Sequence, residues 1–275
     1  MKLKALITKT VLSSFLFLIG IGMVLPVFWM VSSSLKFEGD VFKMPMEWIP
    51  RSVTLLNYTK ALTDFPYIKW YMNTFNVTFW VVLLSLVSSS IAGYAFAKLK
   101  VHGREIIFAM FIATLMIPMQ VRIIPQFMIF KSMGLINTHA AVVMPWIYNG
   151  FAVFLMRQFF YGVPEEMLEA ARIDGSGEFR TFIQVVMPLA KPALISLTIL
   201  SFTWGWNQYF GPLIYLSESS KQVLSVGITN FKSQYSSNFA LQMAGSTLAL
   251  IPILTIYLVL QKHFIEGIAM TGVKG

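Results

Sequence analysis

Cysteine is missing from this chain, and charge is scarce. The first absence removes disulfides, zinc–thiolate sites and thiol nucleophiles together. The second says more: charged residues make up 12% of the 275 and hydrophobic ones 56%, whereas soluble domains carry roughly 25% charged residues. A water-soluble fold could not solvate so apolar a surface. Also absent are the G-x-x-x-x-G-K-[ST], H-E-x-x-H, G-x-S-x-G and C-x-x-C patterns. Without the phosphate loop, any ATP-driven process must take its engine from another chain.

What is present is apolar length. Six segments, about 9–31, 74–97, 106–130, 140–160, 193–216 and 241–263, have the ~20 apolar residues with which a helix crosses ~30 Å of hydrocarbon. The expectation is an all-α, polytopic protein of six transmembrane helices, folded as a single membrane domain over 1–275. The three histidines, His102, His139 and His263, flank different spans, so neither a metal site nor a catalytic cluster is expected and the chain reads as no enzyme. The net charge of +9 does not point to nucleic acid, because the Lys and Arg residues cluster beside hydrophobic runs instead of forming one stripe.

Three lysines precede the first run, but at roughly 21 residues that run is too long for a signal-peptide core of ~7–15, so it reads as an uncleaved span. With the N-terminus inside, short inner loops hold Lys98, Lys100, Arg104, Arg157, Arg172, Arg180 and Lys191, while outer bases including Lys131, Lys221 and Lys232 are spread over longer loops. The positive-inside rule then puts both termini in the cytoplasm.

Between Arg157 and Lys191 lie five acids and four bases, so this interval stays out of the bilayer, on the cytoplasmic side. Pro164, Glu165 and Glu166 suit the start of a helix running to about Ile173. Asp174-Gly175 breaks it, Ser176 is placed to cap a second helix, and that helix is expected to stop before Pro188. Met167, Ala170, Ala171 and Asp174 recur at three- and four-residue spacing and share one face. Two readings stay open here: a small, deformable knob for another protein's groove, or alanines packed beneath the chain's own helices.

Polar residues within spans are costly and usually face protein or water, which makes Gln120, Arg122, Gln126, Asn149, Asn207 and Gln208 candidates for a substrate pathway. Arg122, between Pro118 and Pro125, is expected near a kink in the outer third of the membrane, where it either lines a pathway or snorkels to the headgroups. Asn149 is too short to snorkel. Asn207 lies among Trp204, Trp206 and Tyr209, a mixture that suits sugar rings, although such aromatics also anchor helices at the interface.

The sequence EAARIDG at 169–175, followed by Ile183 and MPLAKP at 187–192, resembles the EAA signature of ATP-binding-cassette importer permeases. Met187 stands where that pattern has leucine, an exchange that conserves volume. SSSLK at 32–36, Pro45, Trp48 and Pro50, LNY at 56–58, GLINT at 134–138, MRQFF at 156–160, WNQYFGPLIYL at 206–216 and GVKG at 272–275 extend the likeness over essentially the whole chain. They are most similar to the carbohydrate-uptake branch, the smaller permease of maltose-type systems.

The resemblance implies a binding-protein-dependent importer permease (MetI-like) fold in a bacterial cytoplasmic (inner) membrane. It implies a translocation pathway for a sugar or oligosaccharide, built with a second homologous permease, two ATPase subunits that bind ATP and Mg, and an external solute-binding protein facing the first outer loop and the loop 217–240. The interval 161–192 would be the coupling loop, with Met167, Glu169, Ala170, Ala171, Asp174 and Gly175 seated on an ATPase. This chain would hold no cofactor of its own. The competing class is an ion-coupled secondary transporter or channel subunit. It calls for several buried charges, and only Arg122 comes close, with no carboxylate inside a span.

Overall fold

The computed structural model describes residues 2–231 and 238–272, with side chains over 8–231 and 238–261. Lys232, Lys274, part of the loop 217–240 and residues 273–275 of the C-terminal GVKG lie outside the described residues. Regular structure within them is helical throughout: α1 Lys2–Ser34, α2 Leu56–Thr63, α3 Tyr67–Lys98, α4 Arg104–Ala113, α5 Met119–Ser132, α6 His139–Val143, α7 Gly150–Tyr161, α8 Glu165–Ile173, α9 Glu178–Thr181, α10 Met187–Leu189, α11 Lys191–Trp206, α12 Phe210–Tyr215, α13 Leu224–Gly227 and α14 Phe239–Gly272. Four helical stretches are long and apolar enough to cross a membrane: Thr8–Ser34, Tyr67–Lys98, His139–Tyr161 and Phe239–Gln261. Two bent pairs raise the number to six if each counts as one span.

The chain divides into two compact units. The first comprises Met1–Ile68 and Gly227–Ile251. In α1, Leu12, Phe15, Phe17 and Leu18 stay exposed, as a lipid-facing surface requires. The SSSLK stretch that ends the helix is packed instead: Ser33, Ser34 and Lys36 are buried. Asn57 of α2 donates to the carbonyls of Ser34 at 2.9 Å and Lys36 at 2.7 Å. The Lys36 ammonium donates to the Glu47 carbonyl and lies 4.1 Å from the Trp29 ring centroid. Burial pushes it below the ordinary lysine range, against the raising influence of Glu47 and Asp40. Within the same unit, Tyr67 Oη donates to the Gly245 carbonyl at 2.6 Å.

The second unit comprises Lys69–Val226 and Pro252–Gly275. Most of α3 belongs to it, and the helix starts at Tyr67, earlier than the expected 74. Its first turns are too polar for a hydropathy signal, but their polar groups find partners. Trp70 Nε1 donates to the Ser219 carbonyl at 2.8 Å, and Asn73 Nδ2 to those of Ser220 and Gln222 at 2.9 Å each. The same turn holds Glu218, whose carboxyl is brought down to about 2 by the Ser220 hydroxyl, then Lys221 and Asn137. Further along α3, a Cβ on Gly93 would stand 2.8 Å from Met156 Cβ and 2.9 Å from the Arg157 nitrogen. The missing side chain there sets how closely α3 and α7 approach.

The third, fourth and fifth expected spans are not continuous helices. Arg104–Met116 and Met119–Ser132 meet at 101°, a break and not the expected kink. Proline lacks an N–H and pushes the preceding residue out of helical geometry, and Ile117, just before Pro118, is extended at φ −83 and ψ 112. The fourth span passes from α6 through a 3₁₀ turn, Met144–Trp146, containing Pro145, and restarts at Gly150. The fifth stops at Trp206 and restarts at Phe210 in α12, which carries Pro212.

Candidate functional site

The three breaks converge. Thr114, Met119 and Arg122 from the first, Trp146, Tyr148 and Asn149 from the second, and Gln208, Gly211 and Tyr215 from the third line one cavity of about 160 Å³. Interrupted backbone at membrane depth is stable only where protein or a water-filled cavity takes up the freed groups. A wall of three broken helices is therefore a built feature of the unit. Several of the wall's polar atoms are hydrogen-bonded within the unit. Asn149 Oδ1 accepts from the Ala152 N–H at 3.1 Å, capping α7. Tyr148 Oη and Thr114 Oγ1 share a hydrogen bond of 2.8 Å. Tyr215 Oη donates to Gln126 Oε1 at 3.2 Å. Trp146 stacks on Trp204 with centroids 5.9 Å apart.

Three buried atoms in this wall have no hydrogen-bond partner: Arg122 Nε, Asn149 Nδ2 and Gln208 Nε2. All are N–H donors. Of the residues expected on a pathway, Arg122, Gln126, Asn149 and Gln208 stand in the wall, whereas Gln120 is exposed and not part of it. Asn207 is exposed too, its Nδ2 turned back on the Thr203 carbonyl at 2.9 Å. Thr114, Tyr148 and Tyr215 went unnoticed in the sequence, where only a tally of every polar group near a proline would have found them.

The second candidate region is the charged interval. Pro164 stands one residue before α8, as its N-cap. At the other end, Gly175 takes φ +80, its N–H bonds the Arg172 carbonyl at 3.0 Å and the Ser176 N–H bonds the Ala171 carbonyl at 2.9 Å. This is a Schellman ending, which satisfies two otherwise orphaned carbonyls. It also corrects the expected Ser176 cap: with its N–H committed backwards, Ser176 leaves the N-cap of α9 to Gly177, which makes no side-chain bond. Nor does the second helix stop before Pro188. It widens into a π-helical turn, Phe182–Val186, and continues to Leu189 before bending 78° into α11. The wider turn relieves the clash between a proline ring and the carbonyl four residues back.

The two alanines point in different directions. Ala171 is buried with Leu168, while Met167, Glu169, Ala170, Asp174 and Gly175 are exposed. Leu168, Phe182 and Val186 join Tyr94 of α3, Met156 and Phe160 of α7 and Leu197 of α11 in one cluster. Charge pairs fasten the same junction. Lys98 Nζ donates to the Val163 carbonyl at 2.7 Å and to Glu165 at 3.4 Å, and Tyr94 Oη donates to Glu178 at 3.0 Å. Arg172 bridges Glu178 at 3.0 Å and Glu165 at 3.6 Å, and its hydrogen bond to Glu178 raises its pKa above the ordinary arginine value. Outward, Ile173 is 85% and Phe179 77% exposed. One side of the segment is thus rooted in three helices while the other offers an unpartnered apolar surface.

Known proteins carry the same plan. The family profile described as "Binding-protein-dependent transport system inner membrane component" matches residues 85–269. The chain is 32% identical over 270 residues to the arabinooligosaccharides transport system permease protein AraQ of Bacillus subtilis (strain 168), covering 97% of this chain and 96% of that protein. It is 30% identical to the melibiose/raffinose/stachyose import permease protein MelC of the same organism, over 91% of each. The crystal structure of a bacterial ABC transporter involved in the import of the acidic polysaccharide alginate holds a chain that superposes with a TM-score of 0.82 at 25% identity, over 94% of this chain and 96% of that one. Matched in this way along nearly its whole length, the chain belongs to the binding-protein-dependent transport system inner membrane components, the MetI-like permeases of ATP-binding-cassette importers.

Proposed function

We propose that this chain pairs with a second homologous permease to form the translocation pathway of a sugar or oligosaccharide importer. Two ATPase subunits hold the ATP and Mg, and an external solute-binding protein delivers the cargo. The single observation that carries the reading is the convergence of three broken helices on a cavity whose wall keeps unpaired polar groups. The relatives named for oligosaccharide import support the cargo class.

Force enters through α8. Met167, Glu169, Ala170, Asp174 and Gly175 face outward and seat in a groove of the ATPase. Leu168 and Ala171 face inward and transmit the displacement to the core of α3, α7 and α11. Because that core is close-packed, it moves as a body and does not absorb the push. The cavity then opens to one side or the other, and the cycle is driven by contacts that differ between the two states. The chain sits multi-pass in the cytoplasmic membrane with both termini and the α8 segment inside.

The test is reconstitution of the four-component transporter in proteoliposomes with a panel of radiolabelled oligosaccharides. Uptake should require internal ATP, stop with vanadate and vanish when the ATPase subunits are omitted. Uptake driven by an ion gradient through this chain alone would overturn the assignment.

A further inference from the structure

The cavity wall is lopsided in its chemistry. Its three unpaired buried atoms, Arg122 Nε, Asn149 Nδ2 and Gln208 Nε2, are donors. The acceptors Asn149 Oδ1 and Gln126 Oε1 are already engaged by Ala152 and Tyr215. No Asp or Glu lines the cavity, and among the described residues none pairs with Arg122. Water can fill the space, which at about 160 Å³ far exceeds the ~10–15 Å³ one molecule needs. Water does not neutralise the half-buried guanidinium, however, and a charge without a counter-ion within a membrane span is costly.

A neutral sugar offers hydroxyls that donate and accept alike. A carboxylate only accepts, carries the opposite charge and fits the planar fork of an arginine two bonds at a time. We propose that this cavity is a subsite for the carboxylate of an acidic saccharide: Arg122 pairs with the anion, and the Asn149 and Gln208 amides supply the remaining donors. The rings of Trp146 and Tyr148, which also line the cavity, suit the C–H surface of the sugar ring. The inference rests on the importer reading and adds the charge class of its cargo.

The absence of cysteine allows a direct test. Met119 lines the cavity without being one of the three donors, so Met119→Cys places a single thiol of this chain beside the site. In the complete transporter, its modification by a neutral maleimide is followed by mass spectrometry of this chain. Digalacturonate is compared with its uncharged counterpart galactobiose at matched ionic strength.

Digalacturonate should protect the thiol at about a tenfold lower concentration than galactobiose, the scale of one charge-assisted hydrogen bond. Arg122→Gln should bring that ratio to about one. So should Asn149→Asp, which keeps the α7 cap but sets a carboxylate in the wall that Arg122 also lines. Equal protection by the two saccharides, protection by neither, or an acidic preference that survives both substitutions overturns the inference. Binding-protein-stimulated ATP hydrolysis by the same preparation separates the two layers. If it is present without acidic preference, only this inference fails; if it is absent, the importer reading fails with it.

Discussion

Within this chain, Gly175 is needed for its backbone and not for its small size. It sits at φ +80 with nothing within 4 Å of where a Cβ would be. A residue with a Cβ therefore meets no neighbour but bears the left-handed penalty, about 1–2 kcal/mol for most side chains and less for asparagine. Gly175→Val should consequently loosen the α8 turn and reduce ATP-driven uptake severalfold, whereas Gly175→Asn should retain most of it. Equal uptake in the two variants would show that the turn conformation does not matter. This glycine was legible because a turn demands a residue type at one position. The fates of Ala170 and Ala171 were not, since spacing shows which residues share a face of a helix but not which neighbour shields them. Arg122 and Asn149 in the cavity wall, against Gln120 and Asn207 outside it, repeat the lesson: polarity is written in the residue, direction in the packing.

At the scale of elements, six apolar stretches were readable because hydropathy averages over a whole span. The same averaging hid the depth of the interruptions around 117–118, 147–149 and 207–209, each within three residues of a proline and each too short to lower the mean. Helix contact distances were equally invisible, and here glycines separate by environment. A Cβ on Gly93 would drive into the α7 backbone at 2.9 Å, while one on Gly20 of α1 meets nothing within 4 Å. Gly93→Ala should therefore force α3 and α7 apart and destabilise the assembled transporter by about 1–3 kcal/mol, the usual range for overpacking. Gly20→Ala should leave stability unchanged or slightly higher, since alanine is the better helix former. Thermal unfolding in detergent, followed by tryptophan fluorescence, compares the two. A smaller loss for Gly93→Ala than for Gly20→Ala would contradict the packing.

Across the whole molecule, sidedness follows from parity and charge together. With each bent pair taken as one crossing, six crossings return the chain to its starting side, and the bases concentrated near Lys98–Arg104 and Arg157–Lys191 predict that those loops lie in the cytoplasm. The α8 segment and the turn at 217–221 are separated by α11, α12 and the bend between them, the proposed fifth crossing. The proposed topology therefore places them at opposite faces of the membrane. Gly177 and Ser219 are both exposed and sit at these two places, and Gly177 has open space for a side chain. In a chain without cysteine, Gly177→Cys and Ser219→Cys each give a single reporter. In right-side-out vesicles, a membrane-impermeant maleimide should label Ser219→Cys at once and Gly177→Cys only after permeabilisation. Labelling of both before permeabilisation would mean that the fifth span does not cross. The reverse order would mean that the chain is inverted, which would carry α8 away from any cytoplasmic ATPase and overturn the proposed route from hydrolysis to the cavity.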